Sequence, residues 1–189
     1  MTAVTSVLAL RPPPVIVKYN AAVRRVSLSS LAWVALLTAV VGWAALVPLA
    51  ALLGQGVVGG RVGAMIAAGA YVSGGLVCHQ RPERSFHLAG AQLPVCGRCT
   101  GLYLSTAAGV LLALTRRRAV RETIRGRETL LHPYRWWLLA AAVPSLATLA
   151  LEWSGAWPGS NSARAAAAAP LGLVLGWLLV EAAGFRGRL

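Results

Sequence analysis

Acidic residues are scarce in this chain: only 5 of its 189 residues are Glu or Asp, none of them Asp, whereas 18 are Lys or Arg. Charged residues of both signs make up 12% of the chain, about half the share found in soluble domains. With 57% hydrophobic residues, the chain has too few polar side chains to cover a soluble surface. Much of its surface is therefore expected to face lipid.

The small number of acidic residues leaves a net charge of +13, which would suit a nucleic-acid-binding protein. The basic residues do not form a continuous stripe, however. They lie between apolar runs, as the flanks of membrane segments do. We therefore predict no nucleic-acid partner and expect the lipid bilayer instead.

Several signatures of other protein classes are missing. Residues 1–30 lack the compact apolar core and small-residue cleavage site of a secretory signal peptide, and we interpret them as a basic juxtamembrane arm. The sequence shows no phosphate-binding loop, no carboxylate pair of the glycosidase or protease kind and no nucleophile–base–acid set. The sequence therefore favours a protein without enzymatic activity.

Long apolar runs are what the sequence does have, and each is of a length that can cross or nearly cross the hydrocarbon layer. They predict an all-α fold: an integral membrane helical bundle of about five transmembrane helices. This transmembrane domain is predicted to cover residues 31–184, followed by a short basic tail at 185–189. The predicted spans are 31–53, 62–77, 99–115, 136–151 and 164–184.

Small residues recur at helical spacing in the predicted spans. Gly101, Ser105 and Gly109 follow one another at intervals of four, and Gly172 and Gly176 form a GxxxG pair. Such ridges allow helices to approach closely within a membrane. They predict tight helix packing.

Five spans would place loops 79–98 and 153–163 on the same face of the membrane. Glu152, Asn161 and Arg164 are therefore expected to converge on the first of these loops. The same count places the basic arm and the basic segment 116–135 on opposite faces, so the positive-inside rule favours both orientations. We place segment 116–135 in the cytoplasm, because it is short, dense in charge and bounded by spans.

Cysteine is also rare, but its three copies are concentrated. All of them, and two of the three histidines, fall between residues 78 and 99. Zinc is usually held by four Cys or His ligands, often including a CxxC pair. The predicted metal site uses Cys96 and Cys99 as that pair, Cys78 as the third ligand, and His79 or His87 as the fourth, with zinc as the cofactor.

Three other interpretations remain open from the residues alone. A CxxC pair at a helix N-terminus, with Arg98 beside it, also suits thiol–disulfide chemistry. The cysteines could equally be apolar packing residues. The chain could also act as an assembly or accessory subunit, with a membrane-protein partner or a second copy of itself.

The charged residues near the cysteines form a predicted supporting cluster. Pro82, with Gly90 as its end, predicts a short interfacial helix. We expect Glu83 to pair with Arg84 or Arg98, because charges at membrane depth are usually paired. We also expect an ion pair between Glu152 and Arg164 to link the fourth and fifth spans. The cluster comprises Glu83, Arg84, Arg98, Glu152, Asn161 and Arg164.

Two segments, 78–86 (CHQRPERSF) and 92–103 (QLPVCGRCTGLY), resemble the hallmark of a family of small bacterial and archaeal membrane proteins catalogued as a domain of unknown function. The later Ser160-Asn161 and Arg164, followed by Gly172, are similar to that family's closing segment. The resemblance runs from about residue 65 to the C-terminus. It implies a multi-pass protein of the bacterial or archaeal cell (inner) membrane. Because no activity is established for the family, the resemblance assigns none to this chain. Some members carry Asp in place of Cys99, a change that a metal site survives and a dithiol does not.

Overall fold

The computed structural model describes residues 28–56, 58–120 and 131–186, with side chains described for 31–56, 58–116 and 135–183. Five helices make up most of this part of the chain, which confirms the predicted helical membrane bundle. Four of them, all except α2, are long and apolar enough to cross a membrane. The helices are α1 (Leu28–Gly54), α2 (Gly60–Val77), α3 (Gly97–Val120), α4 (Leu131–Trp153) and α5 (Asn161–Arg186), and strands β1 (Ser85–Leu88) and β2 (Ala91–Cys96) lie between α2 and α3.

Helices α3 and α5 form the tightest pair in the bundle, and they run parallel. A side chain at Gly97 would meet Asn161, one at Gly101 would meet Ala165, and one at Gly109 would meet Leu173, always against backbone atoms. Because each contact lies one or more turns further along both helices, the two helices start at the same end. The predicted ridges on α3 and α5 are therefore the surfaces through which these helices touch.

Helices α1 and α4 run in the opposite direction to this pair. On α1, Ala51 and Val47 share a core cluster with the first turn of α3, and Leu37 packs with Val110, much further along α3. On α4, Glu152 near the C-terminal end contacts the first turn of α3 through Arg98. The C-terminal ends of α1 and α4 therefore lie at the same end of the bundle as the N-terminal ends of α3 and α5.

Helix α2 differs from the other four. Of its buried small residues, Ala67 and Ala70 pack against the last turns of α1, where they cluster with Ala50 and Leu53, whereas Gly74 lies against Pro94 of β2. An 18-residue helix is about 27 Å long. The α1 residues that pack against it lie between Leu46 and Leu53, a stretch of roughly half that length. Since its far end also adjoins β2, where the Tyr71 hydroxyl donates to the Gln92 carbonyl, α2 crosses the end of α1 rather than running along it.

A β-hairpin replaces the interfacial helix predicted from Pro82 to Gly90. Only Pro82–Arg84 form a helical turn, of the 3₁₀ type, and β1 then pairs with β2 in antiparallel register, with Ser85 opposite Cys96. Ala89 and Gly90, at the turn, both have positive φ (51° and 84°), as the type I′ hairpin turn requires. The helix prediction was wrong because Gly90 forms a hairpin turn instead of ending a helix.

The remaining predicted segments lie largely outside the described residues. Of the arm, residues 28–30 already belong to α1, and positions 1–27 are not described. Of the basic tail, 185 and 186 belong to the end of α5.

Candidate metal centre

Three thiols form one compact group at the end of the bundle where α3 and α5 begin. The sulfur atoms of Cys78, Cys96 and Cys99 all lie within 4.8 Å of one another, and none is in a disulfide. This is the separation expected of ligands that could share one metal ion. The structure therefore brings together the three cysteines that the sequence singled out.

A different element positions each thiol. Cys78 caps the C-terminal end of α2, with its N–H donating to the Gly74 carbonyl. Cys96 is the last residue of β2, and Cys99 lies in the first turn of α3. The hairpin makes this convergence possible, because β2 leads the chain back to the end of α2 before α3 begins.

The surroundings of the thiols are apolar and closely packed. Cys78 is 8% exposed and belongs to a core cluster with Val47, Leu93 and Val95, against which Cys96 and Cys99 also pack. The Cys96 N–H donates to the Cys78 sulfur at 3.2 Å. A backbone donor of this kind stabilises a thiolate, as outer-shell hydrogen bonds do for metal ligands.

The acidity of the thiols is uneven. The hydrogen bond from the Cys99 side chain, helped by backbone hydrogen bonds from Cys99 and Arg98, lowers the pKa of the Cys96 thiol to about 5, against the opposing effect of burial. Cys96 is therefore a thiolate at neutral pH. The thiolate, and not the thiol, is both the metal ligand and the nucleophile.

The two predicted histidine ligands lie outside the thiol group. His79 and His87 are both exposed, and neither belongs to the cluster of ligand atoms around Cys78, Cys96 and Cys99. On β1, Ser85 is buried and His87 lies two positions further on, opposite Gln92 near the exposed turn. In this conformation the described residues offer three cysteine sulfur atoms and no histidine.

A second polar group, which we call the Glu152 cluster, lies at the same end of the bundle. The Glu152 carboxylate is only 3% exposed and accepts from Arg164 at 2.9 Å and from Arg98 at 3.1 Å, and Arg84 lies 3.9 Å away. The cluster therefore contains three guanidinium groups around one buried carboxylate. The expected ion pair between Glu152 and Arg164 is present and links α4 to α5.

Asn161 connects this cluster to the hairpin. Its side-chain amide donates to the Ser85 carbonyl at 3.0 Å, and its carbonyl accepts from Arg164 at 2.9 Å. Arg164 also donates to the Pro158 carbonyl at 2.7 Å. Glu152, Asn161 and Arg164 therefore converge on the loop that carries the cysteines, as the order of the spans predicted. Ser160 caps α5 by accepting from the Ala163 N–H.

The expected pairing of Glu83 is not found. Glu83 is exposed and forms no ion pair with any residue whose side chain the structure describes. Arg84 and Arg98 pair with Glu152 instead. The physical reason is burial: a carboxylate that is almost out of water needs several cationic partners, whereas an exposed one is solvated.

Sequence reasoning missed a set of amide hydrogen bonds that hold the hairpin against α2. The Gln80 side chain donates to the Tyr71 and Pro94 carbonyls, both at 2.7 Å. The Gln92 side chain donates to the Gln80 carbonyl at 2.6 Å and to the Ser85 hydroxyl at 3.3 Å. Both glutamines lie inside the two segments that resemble the family hallmark. That position was the only indication in the sequence that these two side chains matter.

Comparisons with known proteins agree with a membrane protein. A family model described as "Predicted membrane protein (DUF2085)" matches residues 78–178, which include both groups. An uncharacterised protein of Methanocaldococcus jannaschii is 32% identical over 36% of this chain and 39% of its own length. Another, from Methanothermobacter thermautotrophicus, is 45% identical over 20% of this chain and 48% of its own length. The chain therefore spans less than half the length of these relatives, and no solved structure matches it. Since the family model covers more than half of its residues, the chain belongs to this family of membrane proteins of unknown function.

Proposed function

We propose that this protein is a multi-pass protein of the cell membrane that holds a zinc ion between the thiolates of Cys78, Cys96 and Cys99. The observation that carries the proposal is the placement of three sulfur atoms, from three different elements, within 4.8 Å of one another. Thiolates favour zinc and other soft metals over hard cations such as Mg²⁺ and Ca²⁺. The N–H of Cys96 directed at the Cys78 sulfur supports the same assignment.

The role we propose for the metal is to link α2, the hairpin and α3. Amide hydrogen bonds already join α2 to the hairpin. A metal that binds only the folded arrangement would stabilise it further. The three thiolates leave one coordination position for water or an added ligand, because His79 and His87 are both exposed and lie outside the group. Three protein ligands with an open position are also typical of reactive sites.

Four crossings, by α1, α3, α4 and α5, are the topology that the helix directions support. α1 then ends, and α3 and α5 begin, on the face that carries the thiols. The arm, segment 116–135 and the tail share the opposite face, with thirteen of the eighteen basic residues. With five crossings the positive-inside rule favoured both orientations, whereas with four it favours one. In that orientation the basic face is cytoplasmic and the thiols face outward. Free neighbouring thiols tend to oxidise outside the cytoplasm, so bound zinc would also protect them.

Metal analysis of the purified full-length protein tests the proposal. We expect about one zinc per wild-type chain, none in Cys96→Ser/Cys99→Ser, and an unchanged content in the matched control His79→Asn/His87→Asn. Chelation should lower the unfolding temperature of the wild type and leave the cysteine variant unaffected. Loss of zinc from the histidine variant would show that one histidine moves in to act as a ligand.

The competing interpretation is a thiol–disulfide site, which the low pKa of the Cys96 thiol favours. In that case Cys96 and Cys99 would form a disulfide, and their two electrons and two protons would reduce a quinone to a quinol or a partner disulfide to two thiols. A wild-type protein without metal, in which mass spectrometry after alkylation finds this disulfide, would replace the zinc proposal with the redox one.

A further inference from the structure

The Glu152 cluster carries more positive charge than its one carboxylate balances. Arg84, Arg98 and Arg164 all lie within ion-pair distance of Glu152. Glu83, the other acidic residue at this end of the described chain, is exposed and makes no ion pair there. Among the described residues, the single negative charge of Glu152 therefore offsets only one of the three positive charges around it.

Two helix N-termini add to this positive potential. Helices α3 and α5 are parallel and start side by side, so close that a side chain on Gly97 would meet the backbone of Asn161. Each N-terminus carries roughly half a positive charge, because its first N–H groups have no partners within the helix. The end of the bundle that holds the arginines is therefore a strongly electropositive place.

The three arginines differ in how fully their donors are used. Arg164 is 6% exposed and donates to Glu152, Asn161 and Pro158. Arg98 is 22% exposed, and its hydrogen bonds to Glu152 and Thr148 both come from one terminal nitrogen, which leaves the other terminal nitrogen without a partner in the described part of the chain. Arg84 is 42% exposed and lies at 3.9 Å, beyond hydrogen-bond distance. Arg84 and Arg98 therefore keep donors available to a ligand.

We propose that Arg84 and Arg98 bind a phosphate-type oxyanion at the rim of the Glu152 cluster. Guanidinium groups suit this ligand, because their fork of N–H donors matches two phosphate oxygens at once. The cluster lies at the ends of apolar helices, the depth at which lipid headgroups are found. The same chemistry could be supplied by the phosphate of an anionic lipid or by free phosphate. The site is separate from the thiol group and does not depend on zinc.

Two measurements on the full-length protein in detergent distinguish the sources. The first is a titration with inorganic phosphate, followed through the unfolding temperature. The second is native mass spectrometry after adding phosphatidylglycerol or phosphatidylcholine. We expect one of two patterns: stabilisation by phosphate, or retention of phosphatidylglycerol in preference to phosphatidylcholine, whose cationic choline group is repelled.

Arg84→Gln is the test variant and Arg61→Gln the control, since each removes one solvent-accessible arginine and Arg61 lies in the first turn of α2, outside the Glu152 cluster. In either pattern we expect Arg84→Gln to weaken binding about tenfold, the value of one charge-assisted hydrogen bond, and Arg61→Gln to leave it unchanged. Arg84→Lys, which keeps the charge and loses the fork, should be intermediate. Absence of both patterns, or equal losses in Arg84→Gln and Arg61→Gln, would overturn the proposal.

Discussion

At the scale of single residues, Glu152 is a buried carboxylate held by arginines from neighbouring elements. It is 3% exposed and accepts hydrogen bonds from two arginines on two other helices. A buried charge of this kind is costly on its own, and it is tolerated because every partner is in place. Its role is to hold the ends of α3, α4 and α5 together.

Replacement of this carboxylate should therefore be severe. Glu152→Gln leaves the buried Arg164 without its counter-charge, and we expect a loss of about 3–5 kcal/mol in the free energy of unfolding. Thermal unfolding of the purified protein in detergent measures this loss. Glu83→Gln, at an exposed carboxylate with no ion pair among the described residues, is the control and should unfold like the wild type. Equal unfolding temperatures for all three proteins would show that the Glu152 cluster adds nothing to stability.

At the scale of helices and strands, the parallel contact between α3 and α5 is the tightest helix–helix contact in the described bundle. It requires glycine at several positions, because the partner's backbone occupies the space that a side chain would need. At Gly101 the obstruction is the backbone of Ala165, and at Gly176 it is the backbone of Thr106 and Val110. Lipid tails are as apolar as the helix surfaces, so the hydrophobic effect does not drive two helices together within a membrane. Close packing through small residues drives their association instead.

A pair of glycine-to-alanine substitutions tests this contact. Gly101→Ala should destabilise the protein by about 1–3 kcal/mol through overpacking. Gly42→Ala, in the middle of α1 with nothing within 4 Å of the added carbon, should stabilise it by about 0.5–1 kcal/mol, because alanine favours helix more than glycine does. Unfolding temperatures in the same detergent give both values. A stabilised Gly101→Ala would mean that α3 and α5 are further apart than described.

At the scale of the whole molecule, the central question is how many times the chain crosses the membrane. Four helices have the length and composition to do so. Helix α2 has an outward apolar face, with Val62 68% and Met65 75% exposed, yet it packs across the end of α1. An apolar helix in that position suits the boundary between headgroups and acyl chains.

Topology reporters test the four-crossing arrangement. Fluorescent-protein fusions at residues 1 and 189 should both fluoresce in intact cells, because four crossings place both positions on one side and the proposed orientation makes that side cytoplasmic. An epitope inserted at the exposed Gly155 turn should bind antibody from the outside. Five crossings would instead place the two fusions on opposite sides, so one dark fusion would refute this arrangement.

The sequence by itself determined the class of protein and the residues of interest. Long uncharged runs have no stable place in water, so composition alone fixed a helical membrane bundle. The grouping of Cys78, Cys96 and Cys99, and the arrival of Glu152 and Arg164 on the same side, followed from chain order. Small-residue spacing likewise marked the faces of α3 and α5 that touch.

Only the tertiary structure decided how the loop folds, which partners the charges choose and where α2 lies. The hairpin depends on a turn at Ala89 and Gly90 and on amides from Gln80 and Gln92, contacts that local pattern does not specify. The choice of Glu152 over Glu83 depends on burial, which is a property of the assembled bundle. The direction of α2 depends on which turns of α1 it packs against, because an apolar helix of its length could either cross the bilayer or lie at its surface.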